Sequence, residues 1–425
     1  MPKLARDADA IPAISDLIAT PEIRRAFDFL KQTNGFSDDE LISICEIPAP
    51  PFKESRRGHY VEQQFRELDF GPVTTDDVGN VLATRIGTSH DSSHLANDDE
   101  NGQIKAGRTV VISAHLDTVF PEETDVRVRR QGSRLYAPGI SDNACGIASL
   151  LSLARTMSAA QIETSANVCF AATVGEEGEG NLRGVRHLFS GGSFRDRVEA
   201  FVSLDGPGLE RITSRALGSK RFRVTIIGPG GHSWGDFGTV NPVHALGRAI
   251  ARFAAYPAPL SPRTSFNVGI IEGGNSVNAI PERASMTVDA RSLGDDEIDR
   301  IESYLRRVVD IAVQEEIAQR ALSGTGLKST IELIGDRPSG ETPVDSGLVQ
   351  TAIECSRSLG IEPRLDCSST DSNIPISLGI PAITIGVGGQ SGNCHSLTEW
   401  YEPTGRELGL KRLLLLTVAL AGLAE

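Results

Sequence analysis

The chain has 425 residues, 39% apolar and 23% charged, which excludes wholesale disorder and a fibrous fold. Single cores stop growing near ~250–300 residues, so more than one unit is expected. A net charge of −14 with no Lys/Arg cluster argues against a nucleic-acid surface, which needs a basic stripe.

The first residues mix both charges and lack a long apolar stretch, so no secretory signal is expected. Residues 87–107 form a polar excursion between two strands. His90 and His94 lie in it and read as loop residues rather than a metal pair. Residues 108–114 are a β-branched run ending at His115. Residues 143–157 carry apolar side chains at helical spacing, with Asp142 just ahead. Residues 167–174 and 200–204 are further apolar strands, ending at Glu176-Glu177 and Asp205. Apolar strands separated by helices predict a parallel or mixed sheet with helices on both faces.

From about Ser219 the pattern changes. Strands are expected at 220–227, 264–271, 283–290 and 329–334, and helices at 242–256 and 295–321. That β-α-β-β-α-β order describes a two-layer α+β domain inserted into the first. The expected boundaries are 1–215, 216–337 and 338–425. A last strand at 382–387 precedes His395, and 413–424 reads as a buried helix too short for the ~18–20 residues of a membrane span. Six cysteines without a C-x-x-C pair fit reduced thiols and a cytoplasmic location.

Every polar cluster falls at a strand end, where sites collect in such sheets. In His115-Leu116-Asp117, residues two apart point the same way, so the Asp117 carboxylate can accept an imidazole N–H and fix its tautomer. Asp142 sits where a helix cap would, but small residues crowd round it and would let backbone approach an ion. Glu176 and Glu177 are adjacent carboxylates after a buried strand, costly unless something cationic meets them; Glu179 reads as solvated. Taken singly, each has an ordinary explanation as cap, acidic turn or loop. Together His115, Asp142, Glu177, Asp205 and His395 are two imidazoles and three carboxylates at strand ends of one sheet. Two metals sharing a carboxylate need about that set. It suits Zn²⁺, with Co²⁺ or Mn²⁺ as alternatives, and no thiolate need take part.

The combination His115-x-Asp117, Asp142, Glu176-Glu177, Asp205 and His395 closely resembles the M20 family of metallopeptidases. The stretch from Gly175 to Gly184 and the run Ser369-Thr370-Asp371-Ser372-Asn373-Ile374-Pro375 look most like its peptidase-T-like branch. The resemblance implies a zinc exopeptidase-like catalytic domain with an inserted lid and dimerisation domain, two Zn²⁺ per subunit and a homodimer. Asp142 would bridge the metals, with His115 and Asp205 on one and Glu177 and His395 on the other. Glu176 would be the general base, and Asp117 would orient His115. The Asp142–Asn143 bond would be cis. His232, in Gly230-Gly231-His232-Ser233, would steady the oxyanion, and Asn278 and Arg291 would hold a substrate carboxylate. The implied reaction is hydrolysis of di- or tripeptides; the alternative is an N-acyl-amino-acid amidohydrolase. No nucleic-acid or membrane partner is expected.

Overall fold

The computed structural model describes residues 13–68, 71–88, 107–320 and 326–424. The body of the polar excursion, with His90 and His94, lies outside them. The chain divides into two units. One ends at Arg215 and resumes at Glu341; the other is Ala216–Gly340.

The β-branched runs of the first unit form a mixed sheet, nine-stranded among the described residues. Its order includes Val73–Thr75, Val81–Arg85, Asn167–Thr173, Thr109–His115, Val198–Leu204, Ala382–Ile385 and Arg211–Ala216. Four central strands are parallel: Thr109–His115 lies between Asn167–Thr173 and Val198–Leu204, and Ala382–Ile385 pairs with Val198–Leu204. His115 stands opposite Thr173, and Leu204 opposite Ile385. Because the strands are parallel, their carboxyl ends open on one edge, and the loops leaving them share it.

The strands Thr109–His115 and Asn167–Thr173 are buried throughout, as a sheet covered on both faces requires. Helices Cys145–Ala159 and Arg406–Ala421 both pack on Thr109–His115. Leu413 to Leu416 are each at most 1% exposed, so this part of the last helix is enclosed on every side. It does not begin at 413, as the apolar run suggests, but seven residues earlier. Two buried arginines extend it: Arg406 reaches Asp38 and Asn34, and Arg412 donates to the carbonyls of Leu209 and Gly386.

The second unit has a four-stranded antiparallel sheet in the order Thr264–Gly273, Arg283–Ser292, Gly218–Ile227, Lys328–Arg337. Phe222, Val224, Ile226, Met286 and Val288 face helices Pro242–Phe253 and Asp295–Gln319 in its core. Asn241 caps the first helix, accepting from the N–H groups of Val243 and His244, and Pro242 opens it. Asp295, Asp296 and Glu297 place negative charge at the start of the second. Ser339 still belongs here, since its N–H donates to Asp295 Oδ1 at 2.9 Å. A short ladder pairs Gly231–His232 with Ala279–Ile280.

Candidate metal centre

His115 ends its strand and is 2% exposed. Its Nδ1 lies 3.0 Å from the main-chain carbonyl of Asp117, and its Nε2 lies 3.1 Å from Asp142 Oδ1. A carbonyl only accepts, so Nδ1 carries a proton and Nε2 is left for Asp142. The Asp117 carboxylate, expected to pair with this imidazole, has its Oδ1 3.7 Å from Nδ1. That carboxylate also accepts the N–H groups of Glu176 at 2.9 Å and Glu177 at 2.7 Å. Burial pushes the Asp117 carboxyl up, but His115 and those N–H groups outweigh it and hold it below its usual range.

Asp142 does not cap the following helix. Its φ and ψ are −133° and 90°, and the helix begins after Ala144 with no side-chain cap. The Asp142–Asn143 peptide is cis. Its carboxylate faces two imidazoles: Oδ1 meets His115, and Oδ2 lies 2.9 Å from His395 Nε2. The same His395 nitrogen is 3.1 Å from Glu177 Oε1. The crowding by small residues has another cause than an approaching ion. A Cβ on Gly146 would stand 2.1 Å from Asn143 Oδ1, so the glycine makes room for the Asn143 amide. That amide is fully buried and donates to Leu204 O at 2.8 Å, tying this loop to the strand that delivers Asp205.

Asp205 follows Val198–Leu204, and its N–H donates to Ile385 O at 3.2 Å. Burial, then repulsion from Asp142, pushes its carboxyl up to about 6 against the pull of His115 and Arg211. Burial also raises Asp142, but His115 and His395 draw it well below the usual range. His115 is opposed by burial yet held well above an ordinary imidazole by Asp117 and Asp142. His395 is raised by Asp142, Cys394 and Glu177. The imidazoles are thus drawn toward their charged forms by surrounding carboxylates.

These residues fit a cation. Ligands ~2.0 Å from a tetrahedral zinc stand ~3.3 Å from one another, close to the contacts at Asp142 and Glu177. Ligand atoms of His115, Asp142 and Glu177 lie within 4.8 Å of one another, as do those of Asp142, Cys394 and His395. Cys394 was not expected in the cluster; its Sγ is 3.3 Å from Asp142 Oδ2. Burial pushes this thiol up to about 11, so it stays protonated beside the carboxylate. Among the described residues no cysteine forms a disulfide, and four of the other five are buried.

Three further residues were not singled out from sequence. Glu399 is fully buried and bonds the segment carrying Asp142. Arg57 is buried and donates to Leu116 O at 2.8 Å, between His115 and Asp117. Asp371 accepts from Thr173 Oγ1 at 2.5 Å, while its Oδ1 has no partner among the described residues. Asp371 lies in the run that suggested a branch of the family; Glu399 and Arg57 had no local signal. Glu176 is 4% exposed, next to Glu177.

In the inserted unit His232 is exposed. Its N–H donates to Asp236 at 2.7 Å, and its Nδ1 accepts from the N–H groups of Trp234 and Gly235 at 3.1 and 3.2 Å. Nδ1 is therefore the acceptor nitrogen and Nε2 carries the proton. Asn278 is adjacent, its carbonyl accepting from Ser233 N at 3.0 Å. Arg291 is elsewhere. It lies eight residues along the strand from Arg283, ~26 Å at ~3.3 Å per residue, and its Nε holds Asp289 at 2.7 Å. Asn278 lies in the turn just ahead of Ala279–Ile280, before the strand Arg283–Ser292 begins, whereas Arg291 is the next-to-last residue of that strand.

The family model for peptidase family M20/M25/M40 matches residues 111–418. A succinyl-diaminopimelate desuccinylase of Corynebacterium glutamicum is 24% identical over 360 residues, covering 82% of this chain and 87% of the relative. A tripeptidase structure from Staphylococcus aureus superposes with a TM-score of 0.70 at 20% identity, covering 94% of this chain and 98% of that one. The aminopeptidase PepT of Bacillus cereus gives 0.68 at 19%, covering 90% and 97%. A Bacillus subtilis protein described as a dinuclear metal binding peptidase from the M20 family gives 0.62 at 16%, covering 94% and 100%. With strand-end imidazoles and carboxylates converging on Asp142, and a family model spanning most of the chain, the protein belongs to peptidase family M20/M25/M40 and is a metallohydrolase of that family.

Proposed function

We propose that the protein is a di-zinc exopeptidase that hydrolyses the amide bond of short peptides, di- or tripeptides, from the amino end. The observation that carries the reading is the Asp142 carboxylate, with one oxygen on His115 and the other on His395. His115, Asp142 and Asp205 would hold one cation; Asp142, Glu177 and His395 would hold the other. When bound, the cations supply Lewis acidity, which polarises an amide carbonyl and makes water acidic near neutral pH.

Glu176 takes the proton of the attacking water and returns it to the leaving amine. Asp117 sets the main chain of Glu176 and Glu177. From the inserted unit, His232 offers Nε2–H to the developing oxyanion. Asn278 and Arg291 are assigned to the substrate; a guanidinium suits a carboxylate because it donates two parallel bonds. The exposed Ile270 and Ile271, on the edge strand Thr264–Gly273, support a homodimer formed through this unit. Six cysteines without a disulfide among the described residues agree with a reducing compartment.

A second reading, an N-acyl-amino-acid amidohydrolase, is favoured by the desuccinylase relative. It uses the same residues and differs in whether the pocket accepts a free α-amine or an acyl group. The deciding experiment measures amino acid release from di-, tri- and tetrapeptides and from N-acylated amino acids, with zinc and with chelator. Chelator-sensitive cleavage of unblocked peptides is expected. Cleavage of acylated substrates alone would replace the first reading with the second.

A further inference from the structure

The carboxylate of Glu399 makes four hydrogen bonds, all to one short segment. Its Oε1 accepts from Ser141 N at 2.8 Å, Ser141 Oγ at 2.7 Å and Asp142 N at 3.0 Å. Its Oε2 accepts from Gly139 N at 3.0 Å. The side chain is fully buried, and among the described residues no Lys or Arg forms an ion pair with it. A buried carboxylate is costly unless its oxygens are satisfied, and here main-chain and hydroxyl dipoles do it. The main chain of Glu399 is tied as well. Its carbonyl accepts from Ala137 N at 3.1 Å, and its N–H donates to Ser396 O at 3.1 Å. Ser396 directly follows His395. One residue therefore holds the segment that ends in Asp142 and also closes the turn that directly follows His395.

We propose that Glu399 is a positioning residue for the metal centre: it sets the Asp142 carboxylate so that its two oxygens face His115 and His395. This rests on the reading of Asp142 as a shared metal ligand. Segment 139–142 is irregular, with Gly139 at φ +78° and Asp142 away from helical angles, so the helix that follows cannot set the carboxylate by itself. His395 also sits at φ +62°, a conformation a non-glycine residue adopts only when its surroundings impose it. Groups behind metal ligands typically contribute 10–100-fold to affinity or activity.

The test compares zinc affinity, by competition with a chromophoric chelator, in wild type, Glu399→Gln and Ser141→Ala, with thermal melting of each chelator-treated protein. An amide keeps one acceptor oxygen but turns an N–H₂ toward the Gly139 or Ser141 donors. Glu399→Gln is expected to melt as a folded protein and to bind zinc about 10–100-fold more weakly. Wild-type zinc affinity in that variant, whatever its melting temperature, would make Glu399 purely a scaffold residue and overturn the proposal. If Glu399→Gln does not fold, Ser141→Ala decides: it deletes one bond of four, and unchanged zinc affinity overturns the proposal while a several-fold loss supports it. Failure of wild type to bind zinc would instead remove the reading of Asp142, and the proposal with it.

Discussion

Asp117 meets His115 through its main-chain carbonyl, 3.0 Å from Nδ1, while its carboxylate accepts the N–H groups of Glu176 and Glu177. One residue thus separates two tasks. The carbonyl sets which imidazole nitrogen faces Asp142, and the carboxylate sets where the two glutamates leave their strand. Asp117→Asn keeps the carbonyl but loses one carboxylate acceptor. It is expected to lower kcat about 10–100-fold while zinc affinity falls less. Paired measurements of kcat and zinc affinity check this; a larger loss in zinc affinity would return the carboxylate to His115.

Glu176→Ala removes the proposed proton carrier and no proposed ligand. It is expected to bind zinc as wild type does and to lose at least ~10²-fold in kcat. Single-turnover kinetics on the zinc-loaded variant measures this directly. Undiminished turnover would take the base assignment away from Glu176.

The His232 side chain makes two hydrogen bonds, both within its own turn, so its replacement disturbs little else. His232→Ala is expected to fold, bind zinc and lose about 10²–10³-fold in kcat, the scale of one oxyanion donor. KM should change much less, because the interaction belongs to the transition state. An effect confined to KM would make His232 a binding residue only.

Asp371 predicts a pH dependence of stability in the metal-free protein. Burial pushes its carboxyl up to about 6 from an ordinary 3.8. A carboxyl with a raised folded pKa stabilises below its unfolded value, and that stability is lost as pH rises through 6. About two units correspond to about 3 kcal/mol. Chelator-treated Asp371→Asn should therefore gain on wild type between pH 4 and pH 7 in denaturant melts. Parallel profiles for the two proteins would mean that Asp371 titrates normally.

The elements read from the sequence were readable because their signals are local. The run to His115, the strand before Glu176 and the alternation from Lys220 to Ile227 are patterns of neighbouring residues. Asp142 shows the reach of local signals: an acid ahead of an apolar helix resembles a cap, and no neighbouring residue says that its carboxylate is engaged by residues far along the chain. Glu399 illustrates the limit. A lone acid after a polar turn is usually solvated, and its burial depends on a segment about 260 residues earlier.

By itself the sequence determined the central strands, the main elements of the inserted unit, and that imidazoles and carboxylates stand at strand ends, since side-chain periodicity and turn chemistry act over a few residues. The tertiary structure decided which of those ends are neighbours. Parallel pairing of Thr109–His115 with the strands on both sides brings the Glu176, Glu177 and Asp205 loops to one edge with His115. Folding of the returning chain carries His395 onto Asp142. Hydrogen-bond partners across such distances are chosen by packing and burial, which is why the roles of Asp117, Asn143 and Glu399 emerge only in the folded chain.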